Sequence, residues 1–257
     1  MGCGGSKGGG KKVDLKIEKT KIDEFDEVFD AAMEPLETIA KLHKSINSTM
    51  SAYEKACHVM CIKEHTIKDA LQVMLMCCSA AIGGDWKKLD AKVTQKAPFI
   101  KIDTKKVDPS VHEMLAAFEA FVEAAAEIPE KAEPLVEQIQ AMAEKCADFP
   151  GKATEAVQNA NLGLMDGAKA IKACGSNVVK LGKAPSILSE LIKTGTDALA
   201  AFGDCVAMVT SEAEINKINE VGKKAHAAKC FNPDKLICEF FPDQSRVDKT
   251  KMKAAKK

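Results

Sequence analysis

From Ile22 to Met60 the apolar side chains recur at steps of three or four: Ile22, Phe25, Phe29, Met33, Leu36, Ile39, Leu42, Ile46, Met50, Tyr53, Cys57 and Met60. That interval is the period of an α-helix, so the segment reads as one long amphipathic helix whose apolar stripe must be buried against other helices. Pro35 is the one breaker before Gly83-Gly84. A proline lacks the amide that an interior turn donates, so it is expected to kink the helix or to split off a short segment ending near Glu34. A helix over 36–82 would extend about 70 Å at 1.5 Å per residue.

Residues 83–109 lose the period and carry glycine, proline and many lysines, which predicts a connecting segment with a short edge element at Phe99 to Ile102. After Asp108-Pro109-Ser110 a helix is expected over 111–128, its Glu119, Glu123 and Glu127 forming a solvated face opposite Leu115, Phe118, Val122 and Ala125. Pro129 is expected to open a further helix to about Ala147, ended by Phe149-Pro150-Gly151. Further helices are expected over 152–181, 187–209 and 212–229, with a break at Gly182 to Ser186. Ala153, Ala156, Ala160, Gly163 and Gly167 recur at helical spacing and suggest close backbone approach. Phe231, Leu236, Ile237, Phe240 and Phe241 are expected to cap the bundle.

One Trp, one Tyr and 5% aromatic residues argue against a β-sandwich, whereas 46% apolar content excludes disorder throughout. The expected fold is all-α: an elongated multi-helix bundle with a long, Pro-kinked first helix. It is divided into a flexible, acylated basic tail over 1–21, the bundle over 22–242 and a basic C-terminal tail over 243–257, expected to be mobile after Arg246. No heptad is sustained as in a two-stranded coiled coil, so antiparallel helix packing is favoured.

Charge sharpens this division. Residues 1–21 hold six lysines against Asp14 and Glu18, a net of +4, and residues 243–257 hold Arg246 and five lysines against Asp243 and Asp248, again +4. The neutral total leaves −8 on residues 22–242. Basic ends on an acidic body suit an anionic surface touched by the tails and disfavour nucleic acid wrapped on the body. The ten cysteines contain no CxxC pair and follow no secretory leader, which predicts free thiols in a reducing compartment. The longest nearly unbroken apolar run, Val73 to Ile82, has half the length that a membrane-spanning helix needs.

The chain starts MGCGGSKGGGKK, and Met1, Gly2 and Ser6 fit the acceptor pattern for N-myristoylation of Gly2 after removal of Met1. Cys3 is placed to take a second, thioester-linked acyl chain. These residues resemble the Met-Gly-Cys acylation heads of Src-family kinases and of some G-protein alpha subunits, a resemblance confined to the first twelve residues that implies lipidation and says nothing of fold. One myristoyl chain binds a bilayer only marginally, with a partition constant of order 10⁴ M⁻¹, so stable anchoring needs a second signal. Cys3 is one. Lys7, Lys11 and Lys12, each worth about 1 kcal/mol at an anionic leaflet, are another, and Lys249, Lys251, Lys253, Lys256 and Lys257 form a second electrostatic foothold.

Other chemistry has weaker support. Gly5 to Lys12 approaches the phosphate-loop string, but Lys12 stands where a metal-binding hydroxyl is required and no strand precedes it. Cys57, Cys61 and His65 would share one helical face at i, i+4 and i+8, a spacing able to hold a metal, although buried cysteines more often serve as small apolar fillers. No nucleophile elbow, metalloprotease, dinucleotide or kinase signature occurs, so no enzymatic activity, cofactor or metal is expected. Thirty-six lysines against one arginine match nucleic-acid recognition poorly. The expectation is a non-catalytic scaffold or adaptor, acylated at Gly2 and Cys3, on the cytoplasmic face of a membrane, with its helical faces open to protein partners. The alternatives are a component of a cytoskeletal assembly such as a ciliary axoneme, bound to microtubules, and a bundle holding a lipid or metal internally.

Overall fold

The structure, a computed structural model, describes residues 13–85, 92–93, 100–101 and 109–254. It is an all-α multi-helix bundle. The described helices are α1 (Asp23–Ala56), α2 (Ile67–Ala81), α3 (Pro109–Ala132), α4 (Leu135–Cys146), α5 (Phe149–Asn159), α6 (Leu164–Thr210), α7 (Glu212–Ala227), α8 (Pro233–Phe240) and α9 (Lys249–Ala254). Within the expected connecting segment, two-residue strands β1 (Lys92–Val93) and β2 (Ile100–Lys101) pair antiparallel, Val93 opposite Ile100; the remainder of 86–108 lies outside the described residues.

The described residues form two compact units: 13–46 with 125–196, and 47–85, 92–93, 100–101 and 109–124 with 197–254. Helices α1, α3 and α6 each contribute residues to both units.

In the first unit α1 begins with Asp23, Glu24 and Asp26, acids that favour the positive end of the helix dipole. It buries Phe25, Phe29, Ala32, Leu36, Ile39, Leu42 and Ile46. Pro35 does not split it. Losing the amide at an interior proline costs about 3 kcal/mol, but Ala32, Leu36 and Ile39 are fully buried on both sides of it, and each large apolar side chain returns roughly 1.5 to 3 kcal/mol. Phe149, opening α5, stacks on Phe25 with ring centres 4.4 Å apart and meets Phe29 edge-on at 5.6 Å.

Several expected boundaries shift in this unit. Pro129 lies inside α3, whose buried Ile128 and Ala132 carry the helix past it. The tripeptide at 149–151 starts a helix, with Pro150 in the first turn where its missing amide is harmless. The stripe of small residues is divided between α5 and α6 by a turn at Asn161, whose φ is +51°. Close approach is realised at Gly167, where an added Cβ would lie 2.6 Å from Val157, and not at Gly163, where it would meet nothing within 4 Å. The break expected at Gly182 to Ser186 is absent, because buried Leu181, Ala184 and Leu188 hold α6 in register through Pro185.

In the second unit α1 ends at Ala56 rather than near residue 82. His58 adopts the left-handed conformation at φ +59°, a short 3₁₀ turn covers Val59–Cys61, and Ile62 bridges antiparallel to Val247. Thr66 then caps α2: its hydroxyl accepts from the Asp69 amide at 3.2 Å, while its own amide donates to the Asp69 carboxylate at 2.8 Å. From Ala70 to Ala80 nearly every α2 residue is buried, as expected of a helix that is apolar all round. Its main partner is α7. Ser79 donates to Asn219 Oδ1 at 3.2 Å, and Gly222 passes so close that an added Cβ would lie 2.1 Å from Ser79 Oγ. Tyr53 packs between Phe118 and Phe121 of α3, ring centres 5.4 and 5.7 Å away.

The C-terminal segment is docked rather than free. Arg246 grips Asp69 with both guanidinium nitrogens, at 3.0 and 2.7 Å, and donates to the Glu64 carbonyl at 3.0 Å. The Asp248 amide donates to the Cys61 carbonyl at 2.7 Å before α9 begins. Arg246, where the tail expected to be mobile begins, is paired across 177 residues of sequence, a contact that no local pattern announces.

Candidate functional site

The segment Val13 to Ile22, which the charge pattern joins to the N-terminal tail, is a strap without regular secondary structure. Leu15, Ile17, Thr20 and Ile22 are buried, while Asp14, Lys16, Glu18, Lys19 and Lys21 face out. Between Asp14 and Glu18 this is the period-2 alternation of extended chain. Asn177 of α6, itself fully buried, takes the place of a neighbouring strand: its side-chain oxygen accepts from the Glu18 amide at 3.0 Å and its nitrogen donates to the Glu18 carbonyl at 2.7 Å. Lys180 donates to the Lys16 carbonyl and stands 3.6 Å from the Glu18 carboxylate.

The far end of the strap is closed by Asp26 of α1, whose carboxylate accepts from the Thr20 amide and hydroxyl, both at 2.8 Å, and from the Lys21 amide at 3.1 Å. Lys19 pairs with Asp30, whose hydrogen bond raises the lysine above its ordinary pKa, and Lys21 pairs with Asp166 at 3.3 Å. The chain is thus held from Lys16 to Lys21, and Val13, three residues before Lys16, is where this part of the described chain begins.

Two grooves flank that point. Against α6 lies one of about 750 Å³, formed by Val13, Asp14 and Leu15 with Gly175, Val179 and Ile187 and rimmed by Lys172, Lys180 and Lys183. Against α1 lies a smaller one of about 420 Å³, where Val13, Leu15 and Ile17 meet Met33, Leu36 and Ala40.

The residues singled out in the sequence have separate fates. Gly2, Cys3, Ser6, Lys7, Lys11 and Lys12, together with Lys256 and Lys257, lie outside the described residues. Lys249 and Lys251 are exposed on α9, which also carries Lys253. Cys57, Cys61 and His65 do not share a helical face, because α1 stops one residue before Cys57. Burial raises the Cys57 thiol well above its ordinary pKa and, with the nearby Asp234 charge, pushes Cys61 up to about 11, so both stay protonated at neutral pH. His65 instead bonds Glu54 at 3.1 Å, and that hydrogen bond raises its pKa. Among the described residues no group of three or more His, Cys, Asp or Glu is placed to hold a metal ion.

Asn177, Lys180 and Asp26, which fix the strap, carry no local motif; the alternation of Leu15 and Ile17 among charged residues is the one signal of a docked segment. Among the described residues no helix is long and apolar enough to cross a membrane. The chain matches no family model, no curated protein and no solved structure, so nothing is carried to it from a relative.

Proposed function

We propose that this chain is a peripheral membrane protein, acylated on Gly2 and Cys3, that acts without catalysis as a scaffold or adaptor on the cytoplasmic face of a membrane. The observation that carries the reading is the acceptor sequence Gly2-Cys3 with Ser6, followed by Lys7, Lys11 and Lys12. A myristoyl chain and three lysines together supply the two signals that stable attachment needs. The strap supports the reading, because a chain held from Lys16 to Lys21 would transmit attachment of such a head to the folded body.

Fractionation of cells expressing the full-length chain tests the proposal, together with mass spectrometry of the mature N-terminal peptide. The wild type is expected to carry a myristoyl group on Gly2 and to sediment with membranes, and Gly2→Ala to move to the soluble fraction. Persistence of Gly2→Ala at the membrane, or a bare Gly2 amine in the wild type, overturns it. The lysines of both ends fit equally an acidic filament such as a microtubule, for which acylation would serve delivery. Co-sedimentation of the unacylated chain with purified microtubules in the absence of lipid would favour that second reading.

A further inference from the structure

The groove between the strap and α6 shares Leu15 and Lys180 with the docking of the strap, but Gly175, Val179 and Lys183 on its α6 wall have no part in that docking. Its lining residues on α6, from Lys172 to Ile187, fall on one face, and fifteen residues of helix give a trough about 22 Å long. Val179 is 54% exposed within it, and a Cβ added to Gly175 would meet nothing within 4 Å, so the floor is open. A single acyl chain spans one leaflet, half of a hydrocarbon core ~30 Å thick, or about 15 Å. The trough is long enough to lay such a chain along α6.

We infer that this groove is the binding site for the acyl chain on Gly2 of the same molecule, an inference that rests on the acylation proposed above. Val13, which lines the groove, is also where the described chain begins, and Gly2 stands eleven residues before it. Even fully extended, that stretch reaches at most about 40 Å. A ligand on so short a tether is presented at an effective concentration on the order of millimolar. The rim selects which part of the head enters. Asp14 also lines the groove, and Lys180 is paired with Glu18 of the strap. It is therefore Lys172 and Lys183 that repel a peptide carrying Lys7, Lys11 and Lys12, whereas the hydrocarbon chain is neutral and gains by leaving water. The smaller groove against α1 is the poorer receptor, with about 420 Å³ of space.

The test uses the full-length chain in unacylated and enzymatically N-myristoylated forms, with N-myristoylglycinamide as probe because it lacks a carboxylate that lysines could hold by charge alone. By native mass spectrometry and titration, the unacylated chain is expected to bind one probe molecule. Gly175→Leu, which fills the floor at a helical position with free space, is expected to weaken binding at least about tenfold. Val179→Asp, at an exposed position, is a second variant that does not depend on the first folding, and both are checked by thermal melting. The myristoylated chain is expected to refuse the probe, and its Gly175→Leu form to partition several-fold more onto neutral phosphatidylcholine vesicles. Absence of saturable binding to the unacylated chain, binding undiminished in both variants, or unchanged vesicle partition of acylated Gly175→Leu overturns the inference. A bare Gly2 amine in the cellular protein is a separate result that removes the proposed function itself.

Discussion

Asn177 is a fully buried side chain whose two polar atoms are both committed to the backbone of Glu18. Asn177→Ala leaves that amide and carbonyl without their partner, which costs about 2 kcal/mol. The urea midpoint should fall accordingly, and tryptic cleavage after Lys16 and Lys19 should accelerate on the order of tenfold as the strap opens. His65 sets a pH dependence of definite sign. Its folded pKa is raised by Glu54 above the ordinary imidazole value, so its stabilisation is complete at acid pH and fades as pH climbs through the raised value. Melting temperature is expected to fall between about pH 6 and pH 8, and His65→Gln to flatten that slope. The cysteines act at higher pH and by reactivity: burial raises the thiols of Cys57, Cys146, Cys174 and Cys230. Alkylation of the native protein at neutral pH, read by peptide mapping, should spare these four and modify half-exposed Cys238.

The crossing of α2 and α7 and the middle of α6 both contain glycine for opposite reasons. At Gly222 an added Cβ would lie 2.8 Å from the Ser79 backbone carbon, which has no rotamer to move. Gly222→Ala is therefore expected to cost about 3 kcal/mol, the upper range for overpacking. At Gly182 an added Cβ meets nothing within 4 Å, so Gly182→Ala should stabilise by roughly 0.5 to 1 kcal/mol, the usual advantage of alanine in a helix interior. Urea unfolding of the two variants should move the midpoint in opposite directions.

The same elements show where the sequence is legible. The apolar period from Ile22 to Tyr53 and the acidic face of α3 follow from 3.6-residue spacing alone. The end of α1 does not, because Cys57 and Met60 continue the period and no glycine or proline intervenes. The one local sign is Thr66 three residues before Asp69, a capping pair that marks where a new helix begins. Pro129 and Pro185 mislead in the opposite sense, since buried neighbours outweigh a lost hydrogen bond. The strap contacts are invisible locally: Glu18 and Asn177 lie 159 residues apart, and no motif connects them.

Across the whole chain, charge is distributed with basic ends and an acidic body, yet the two ends are not alike. The C-terminal one is fastened through Arg246, the only arginine of the sequence, to Asp69. Arginine suits that place because its planar fork meets both carboxylate oxygens, which a lysine cannot do. The N-terminal end offers Lys7, Lys11 and Lys12 ahead of the strap. If acylation and these lysines act together, binding of the acylated chain to vesicles containing anionic lipid must fall as salt shortens the screening length from about 10 Å at 0.1 M to about 3 Å at 1 M. Sedimentation over that range should show the loss, and binding to neutral vesicles should stay nearly constant.

The clamp on residues 16–21 also has a mechanical meaning. Any pull on the chain ahead of Val13 meets Lys180, Asn177 and Asp26 in turn, so the load passes into α6 and α1 through those contacts. A body tugged by its leading end would therefore resist with its two longest helices before any shorter element bears force.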